Sequence, residues 1–232
     1  SKSSKQDLID LYGIPSEKIG IIYPAVDEKF KPLNYLDQKI IAVKQKYQLP
    51  ENFVLYLGNL EPRKNIESLI LAFEQLLKKN RPREKDLFLI IAGRPSWLYQ
   101  NIFKLARKST AGSQIKFLGY VAEKDKPALY NLAKVFVYPS FYEGFGLPVL
   151  EAMSCGCPII SSASSSLPEV TDDSALLINP YKINELTEAL WQIISDEKLL
   201  LSLKEKGLFQ AQNFTGQKSS QKLLDIFKDI SK

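Results

Sequence analysis

Two glutamates, Glu143 and Glu151, are separated by seven residues that begin Gly144-Phe145-Gly146. An ionised carboxylate only accepts hydrogen bonds, so such a pair suits hydroxyl donors, those of sugars above all, and does not suit a phosphate. Upstream, Arg63 and Lys64 stand side by side. Arginine offers a planar fork for two phosphate oxygens, and lysine a flexible point charge. Between the glutamates the two glycines let the backbone fold tightly and come close to a ligand. Free N–H groups at the start of a following helix suit an anion. By residue type alone, a tight turn with solvated glutamates and a solvated basic pair fits as well.

These groups can cooperate only if secondary structure brings them together. Apolar runs bounded by turn residues predict strands at 18–23, 53–58, 87–92, 115–118, 135–138, 158–161 and 175–178. Helical spacing predicts helices at 4–12, 35–47, 66–77, 96–107, 124–133, 147–154, 183–194, 197–212 and 217–230. Asn65 is placed to cap the third of these, and Pro148 is tolerated in a first turn. Strands alternating with helices, several apolar on both faces, predict an α/β, Rossmann-like, doubly wound parallel sheet with helices on both faces. Arg63, Lys64 and Glu143 then fall in loops at the carboxyl edge, where such sheets bind ligands. Gly58, Gly93 and Gly119 end strands there too.

The composition excludes several chemistries. There is no histidine, so histidine acid–base catalysis has no group to use. Cys155 and Cys157 cannot complete a zinc site, and are expected to pack, reduced, at a helix end. The Ser161 to Ser166 tract has no activating base beside it. Glu169 reads as a structural carboxylate near a helix start. A net charge of +5 favours an anionic partner, a nucleoside diphosphate or a membrane surface, and equally serves solubility. No apolar run reaches membrane-spanning length. The opening Ser-Lys-Ser-Ser-Lys, with Met153 the sole methionine, reads as an excised fragment.

The stretch Glu143 to Glu151 resembles the signature of the retaining, nucleotide-sugar-dependent glycosyltransferases of family 4, which have the GT-B architecture. The stretches 58–65, 91–93, 117–121 and 166–170 resemble further landmarks in family order, and all match the carboxy-terminal, donor-binding half. The resemblance implies transfer of a sugar from a nucleoside diphosphate sugar to an acceptor hydroxyl on a glycan or lipid-linked glycan. It implies no metal or other cofactor, and no nucleic acid. It assigns Arg63 and Lys64 to the donor diphosphate, although Asn59 stands where many members carry the arginine. Glu143 would lie by the transferred sugar, and Glu151 would bind the ribose hydroxyls. The backbone of Phe145, Gly146 and Leu147 would complete the cradle. Gly58, Asn59, Gly93, Tyr120 and Val121 would border the nucleotide; a strand-end aromatic such as Tyr120 also fits the core.

On this resemblance, residues 1–32 are an interdomain segment with a first strand, and 33–212 the nucleotide-sugar domain. Residues 213–232 form a helix returning toward an amino-terminal domain in cis. The fragment alone is expected to be inactive or nearly so. The Glu-Pro-Arg-Lys-Asn form of the basic motif is most similar to members that use GDP-mannose. A cytoplasmic setting is expected, with room for peripheral contact at the inner face of the membrane. The alternative is a binding-only nucleotide module that acts with a separate acceptor-binding subunit.

Overall fold

The computed structural model describes residues 1–78 and 86–230. Among them, six strands form one sheet: β1 (Asn52–Leu57), β2 (Leu87–Ala92), β3 (Ile115–Gly119), β4 (Val135–Tyr138), β5 (Ile159–Ser162) and β6 (Ala175–Ile178). All pairings are parallel and the order is β3-β2-β1-β4-β5-β6. The chain therefore builds outward from β1 to β3, then returns to β4 on the other side of β1. Val54 lies opposite Val135 and Leu55 opposite Phe136 at that seam. A reversal of winding leaves a crevice outside the carboxyl ends of the two strands.

Helices α1 (Lys2–Tyr12), α2 (Gln38–Lys46), α3 (Ile66–Lys78), α4 (Gln100–Lys108) and α5 (Lys126–Leu132) belong to the first half. Helices α6 (Leu147–Ser154), α7 (Leu167–Thr171), α8 (Ile183–Ser195), α9 (Glu197–Ala211) and α10 (Gly216–Ile230) belong to the second. The helices cover both faces, α3 against α8 and α5 against α2 and α6. Their apolar stripes explain the packing: α3 buries Ile66, Leu69, Ile70, Phe73 and Leu76. Phe53 through Leu57 and Val135 through Tyr138 are all buried, as expected of strands covered on both sides. Each such side chain contributes about 1.5–3 kcal/mol to folding.

The predicted strand at 18–23 does not form. Ser16–Lys18 is a 3-10 turn, and the chain then runs extended outside the sheet. Its partner is α10: the Tyr23 carbonyl accepts from Ser219 Oγ at 2.6 Å, and a Cβ on Gly20 would meet Ile226 Cδ1 at 2.7 Å. Ile19, Ile21 and Tyr23 are only half-buried and Ile22 is exposed, so the run lacks the burial on both faces that the sheet strands have. Asn65 also differs from expectation. It takes a left-handed conformation (φ 55°), and its amide donates to the carbonyls of Pro139 (3.1 Å) and Pro180 (2.8 Å). It ties the crossover loops together instead of capping α3. The last two residues of the expected carboxy-terminal helix, 231–232, lie outside the described residues.

Candidate functional site

At the winding reversal three loops are tied to one another by backbone bonds. Leu60 N donates to Arg94 O (2.9 Å), Ser96 N to Leu60 O (3.0 Å), and Phe141 N to Arg63 O (2.9 Å). The close approach depends on glycine at one point above all. Gly93 has φ 148°, and a Cβ there would lie 1.8 Å from Gly58 O. Gly146, at φ 104° immediately before α6, has a similar constraint: a Cβ would meet Leu167 Cδ2 at 2.7 Å. Both glycines therefore serve backbone geometry that a side chain would block.

Across the seam the loops bring opposite charges together. Lys64 Nζ lies 2.6 Å from Glu143 Oε1 and donates to the Tyr138 hydroxyl at 2.7 Å. Arg63 Nη1 reaches the same Glu143 oxygen at 3.1 Å and the Tyr142 carbonyl at 2.6 Å, while Nη2 pairs with Glu61 at 2.7 Å. Lys64 and Glu143 are each only 7% exposed. Burial pushes the Lys64 ammonium below its ordinary pKa, a loss that Glu143 partly offsets. Burial also works against the Arg63 charge, but Glu143 and Glu61 more than reverse it and raise its pKa. The Tyr138 hydroxyl is raised by burial and by Glu143, so it stays neutral.

The Glu143 peptide is gripped from the other side. Its N–H donates to Ser165 Oγ (2.8 Å), and its carbonyl accepts from Ser166 Oγ (2.8 Å). These serines are the role that the Ser161 to Ser166 tract plays, and no local pattern signals a bond spanning so much sequence. Glu169 is structural, though not for its own helix. It accepts the Lys2 and Ser3 N–H groups (2.9 and 3.3 Å) that open α1, and the Tyr23 hydroxyl at 3.0 Å. Burial and Glu169 together push Tyr23 up to about 12.

Two cavities share Gly58 and Asn59. One, of about 460 Å³, is lined by Arg63, Lys64, Glu143, Phe145, Gly146 and Leu147 among others. The second, of about 350 Å³, is lined by Gly93, Tyr120 and Val121 together with Arg94, Glu123 and Lys126. The last three were missed by sequence reasoning. Arg94 had a signal, a basic residue directly after a strand-ending glycine; Glu123 and Lys126 had none. Tyr120 is 56% exposed, with the Arg94 guanidinium carbon 4.0 Å from its ring centroid, so it is not a core aromatic. Val121 is buried beneath.

Glu151 is half-buried on α6 and lines neither cavity; its Oε2 accepts from the Tyr130 hydroxyl at 2.9 Å. Burial raises its pKa, against the pull of Lys126. Among the described residues no cluster of three or more His, Cys, Asp or Glu could hold a metal. Cys155 and Cys157 are free and buried.

A doubly wound α/β domain with basic and acidic side chains converging outside the carboxyl ends at its winding reversal defines a class, the ligand-binding Rossmann-like domains. The chain belongs to the glycosyl transferases group 1 family, whose model matches residues 37–229. It is 36% identical over 229 residues to O-antigen chain mannosyltransferase B of Escherichia coli, covering 98% of this chain and 59% of that protein. It thus spans little more than half of that relative, as fits the carboxy-terminal half of a GT-B glycosyltransferase. Two solved structures share the fold. A glycosyltransferase from Rickettsia africae superposes with a TM-score of 0.87 at 22% identity, covering all of this chain and 62% of that one. The Anabaena protein HepE in complex with UDP and glucose gives 0.83 at 21%, covering all of this chain and 61% of that one.

Proposed function

We propose that the chain is the donor-binding half of a retaining glycosyltransferase that moves mannose from GDP-mannose to a hydroxyl of a glycan or lipid-linked glycan. The observation that carries this is the buried Lys64–Glu143 pair across the winding reversal, with Arg63 on the same carboxylate oxygen. Arg63 and Lys64 share Glu143 in a site that also contains Glu61, paired with the other Arg63 nitrogen, and the amino-terminal end of α6. A diphosphate entering there competes with Glu143 for both cations and finds N–H groups of Phe145, Gly146 and Leu147. Glu143, released from the pair, faces the sugar and stabilises positive charge developing at the anomeric carbon. Arg63 and Lys64 offset the charge that builds on the departing diphosphate. No metal or other cofactor is assigned, because these groups meet the diphosphate charge.

Glu151 uses the oxygen not engaged by Tyr130 for the ribose hydroxyls. The base then occupies the cavity of Gly93, Arg94, Tyr120 and Val121. Guanine carries N–H donors on its pairing edge, and the Glu123 carboxylate at that cavity accepts them, which supports GDP. The name of the Escherichia coli relative supports mannose. Residues 33–212 form the donor domain in this reading, with 1–32 leading into it. Residues 213–232 return toward an amino-terminal domain in cis that holds the acceptor, on the cytoplasmic side of a membrane when that acceptor is lipid-linked. Domain closure would exclude water and align the acceptor.

The test joins this chain to an amino-terminal half from upstream coding sequence, in an assay with donor and acceptor. The joined enzyme should transfer, and Glu143→Gln should cut turnover without weakening GDP binding. Transfer at full rate by this chain alone would overturn the reading.

A further inference from the structure

The turn that gives Glu123 and Lys126 to the nucleotide cavity gives Lys124 and Asp125 to another, of about 440 Å³, between α2, α5 and the segment 29–33. Its floor is apolar, with Leu33, Val43 and Pro127, and its rim carries Lys29, Lys31, Lys39 and Lys124. Asp125 does not cancel this charge. It is buried, and its carboxylate is engaged by Lys46 (2.6 Å) and the Tyr47 hydroxyl (2.9 Å). Lys29 is paired with Asp27 at 3.2 Å, and Glu123 with Lys126. Among the described residues, Lys31, Lys39 and Lys124 enter no salt bridge.

Between Leu33 and Lys39 the chain makes a projecting turn. The Asn34 side chain accepts from Leu36 N (2.9 Å), and the Asn34 carbonyl from Asp37 N (2.9 Å). That turn leaves Tyr35 68% and Leu36 82% exposed, and Ile41 on α2 is 43% exposed. An ordered turn that presents two large apolar side chains to water, beside three unpaired lysines, asks for an amphiphilic partner.

We propose that this face docks on an anionic phospholipid surface, with the lysines on headgroup phosphates and Tyr35 and Leu36 in the interfacial layer. The choice of side chains favours a surface over a single docked phosphate. All four rim cations are lysine, a point charge on a flexible stem, and none is the arginine fork that fixes one phosphate. The apolar floor suits the lysine stems and lipid glycerol region, with the ammonium groups reaching outward. Aromatic and aliphatic tips flanked by basic residues are the residue types that settle at a bilayer interface. The inference stands apart from the donor-site reading, since none of these side chains is assigned to the nucleotide sugar.

Vesicle flotation tests it. The protein should float with vesicles of phosphatidylcholine plus phosphatidylglycerol and stay behind with phosphatidylcholine alone, and added chloride should weaken the association. Replacing Lys31, Lys39 and Lys124 together by Ala should weaken it about a hundredfold, at roughly fivefold per lysine near a charged surface. Leu36→Ser should weaken it as well, with the salt dependence kept. A control with Lys198, Lys222 and Lys228 replaced by Ala has the same net charge and should stay within about threefold of the parent. Melting curves establish that each variant is folded. Equal losses in the two triple variants would show diffuse attraction and overturn the proposal. So would inorganic phosphate releasing the protein far better than chloride at matched ionic strength, which would mark a site for free phosphate.

Discussion

Replacing Lys64 by Met separates two consequences of one buried charge. The substitution keeps most of the apolar stem and removes the ammonium that lies 2.6 Å from Glu143. Stripping one partner from a buried pair costs about 3–5 kcal/mol when nothing else pairs the survivor. Here Arg63 stays 3.1 Å from the same oxygen, so the loss should sit lower, about 2–3 kcal/mol. For a domain of this size roughly 2–4 °C accompanies each kcal/mol, so calorimetry should record a melting point lower by about 4–12 °C. Adding Glu143→Gln removes the orphaned charge and should restore most of that loss. Ligand binding should respond differently. A hydrogen bond to a charged group contributes about 1.5–3 kcal/mol, so titration should show GDP held roughly ten- to a hundredfold more weakly, with guanosine nearly unchanged. Glu143→Gln should not rescue GDP binding, because the missing group is the cation. Equal losses for GDP and guanosine would refute the assignment of Lys64 to the diphosphate. A double variant no more stable than Lys64→Met would refute the charge argument.

Further outcomes follow from the same geometry. Gly93→Ala forces a Cβ onto Gly58 O and should destabilise by more than about 4 kcal/mol, seen as loss of cooperative unfolding, while Gly144→Ala, with nothing within 4 Å, should cost under about 1 kcal/mol. Burial holds Lys64 below its ordinary 10.5, and only the protonated form attracts a diphosphate, so GDP affinity should be greatest on the acid side of that lowered pKa. It should fall as pH rises through the lowered pKa, before an ordinary lysine would titrate; Lys64→Arg should flatten that fall in a calorimetric pH series. The Cys155 thiol is pushed up from 9.0 to about 12 by burial, so native protein at neutral pH should react with a thiol reagent roughly a thousandfold more slowly than denatured protein.

Much of the fold was legible locally because burial on both faces writes itself into composition. The runs at 87–92, 135–138 and 175–178 and the helix at 147–154 appear in the structure with the predicted bounds. Each is a short apolar or periodic stretch closed by glycine, proline, asparagine or serine, and such signals need no distant partner. The glycosyltransferase resemblance was legible for the same reason, as contiguous motifs. Strand order was not, because it depends on pairings between segments far apart in the chain, such as Val54 with Val135. The stretch 18–23 has the residues of a strand, and only the proximity of Ile226 and Ser219 decides that it lies along α10. Asn65 has the residue type of a cap, and only the carbonyls of Pro139 and Pro180 redirect its amide. The site divides in the same way. Arg63, Lys64, Glu143 and the Gly144-Phe145-Gly146 turn could be named from residue type and spacing. That Glu143 is clasped by Lys64, by Arg63 and through its backbone by Ser165 and Ser166, and that Arg94, Glu123 and Lys126 line the neighbouring cavity, was decided by the sheet. Local propensity acts over a few residues, whereas a charge cluster forms only where folding has excluded water and brought separate loops to the same edge.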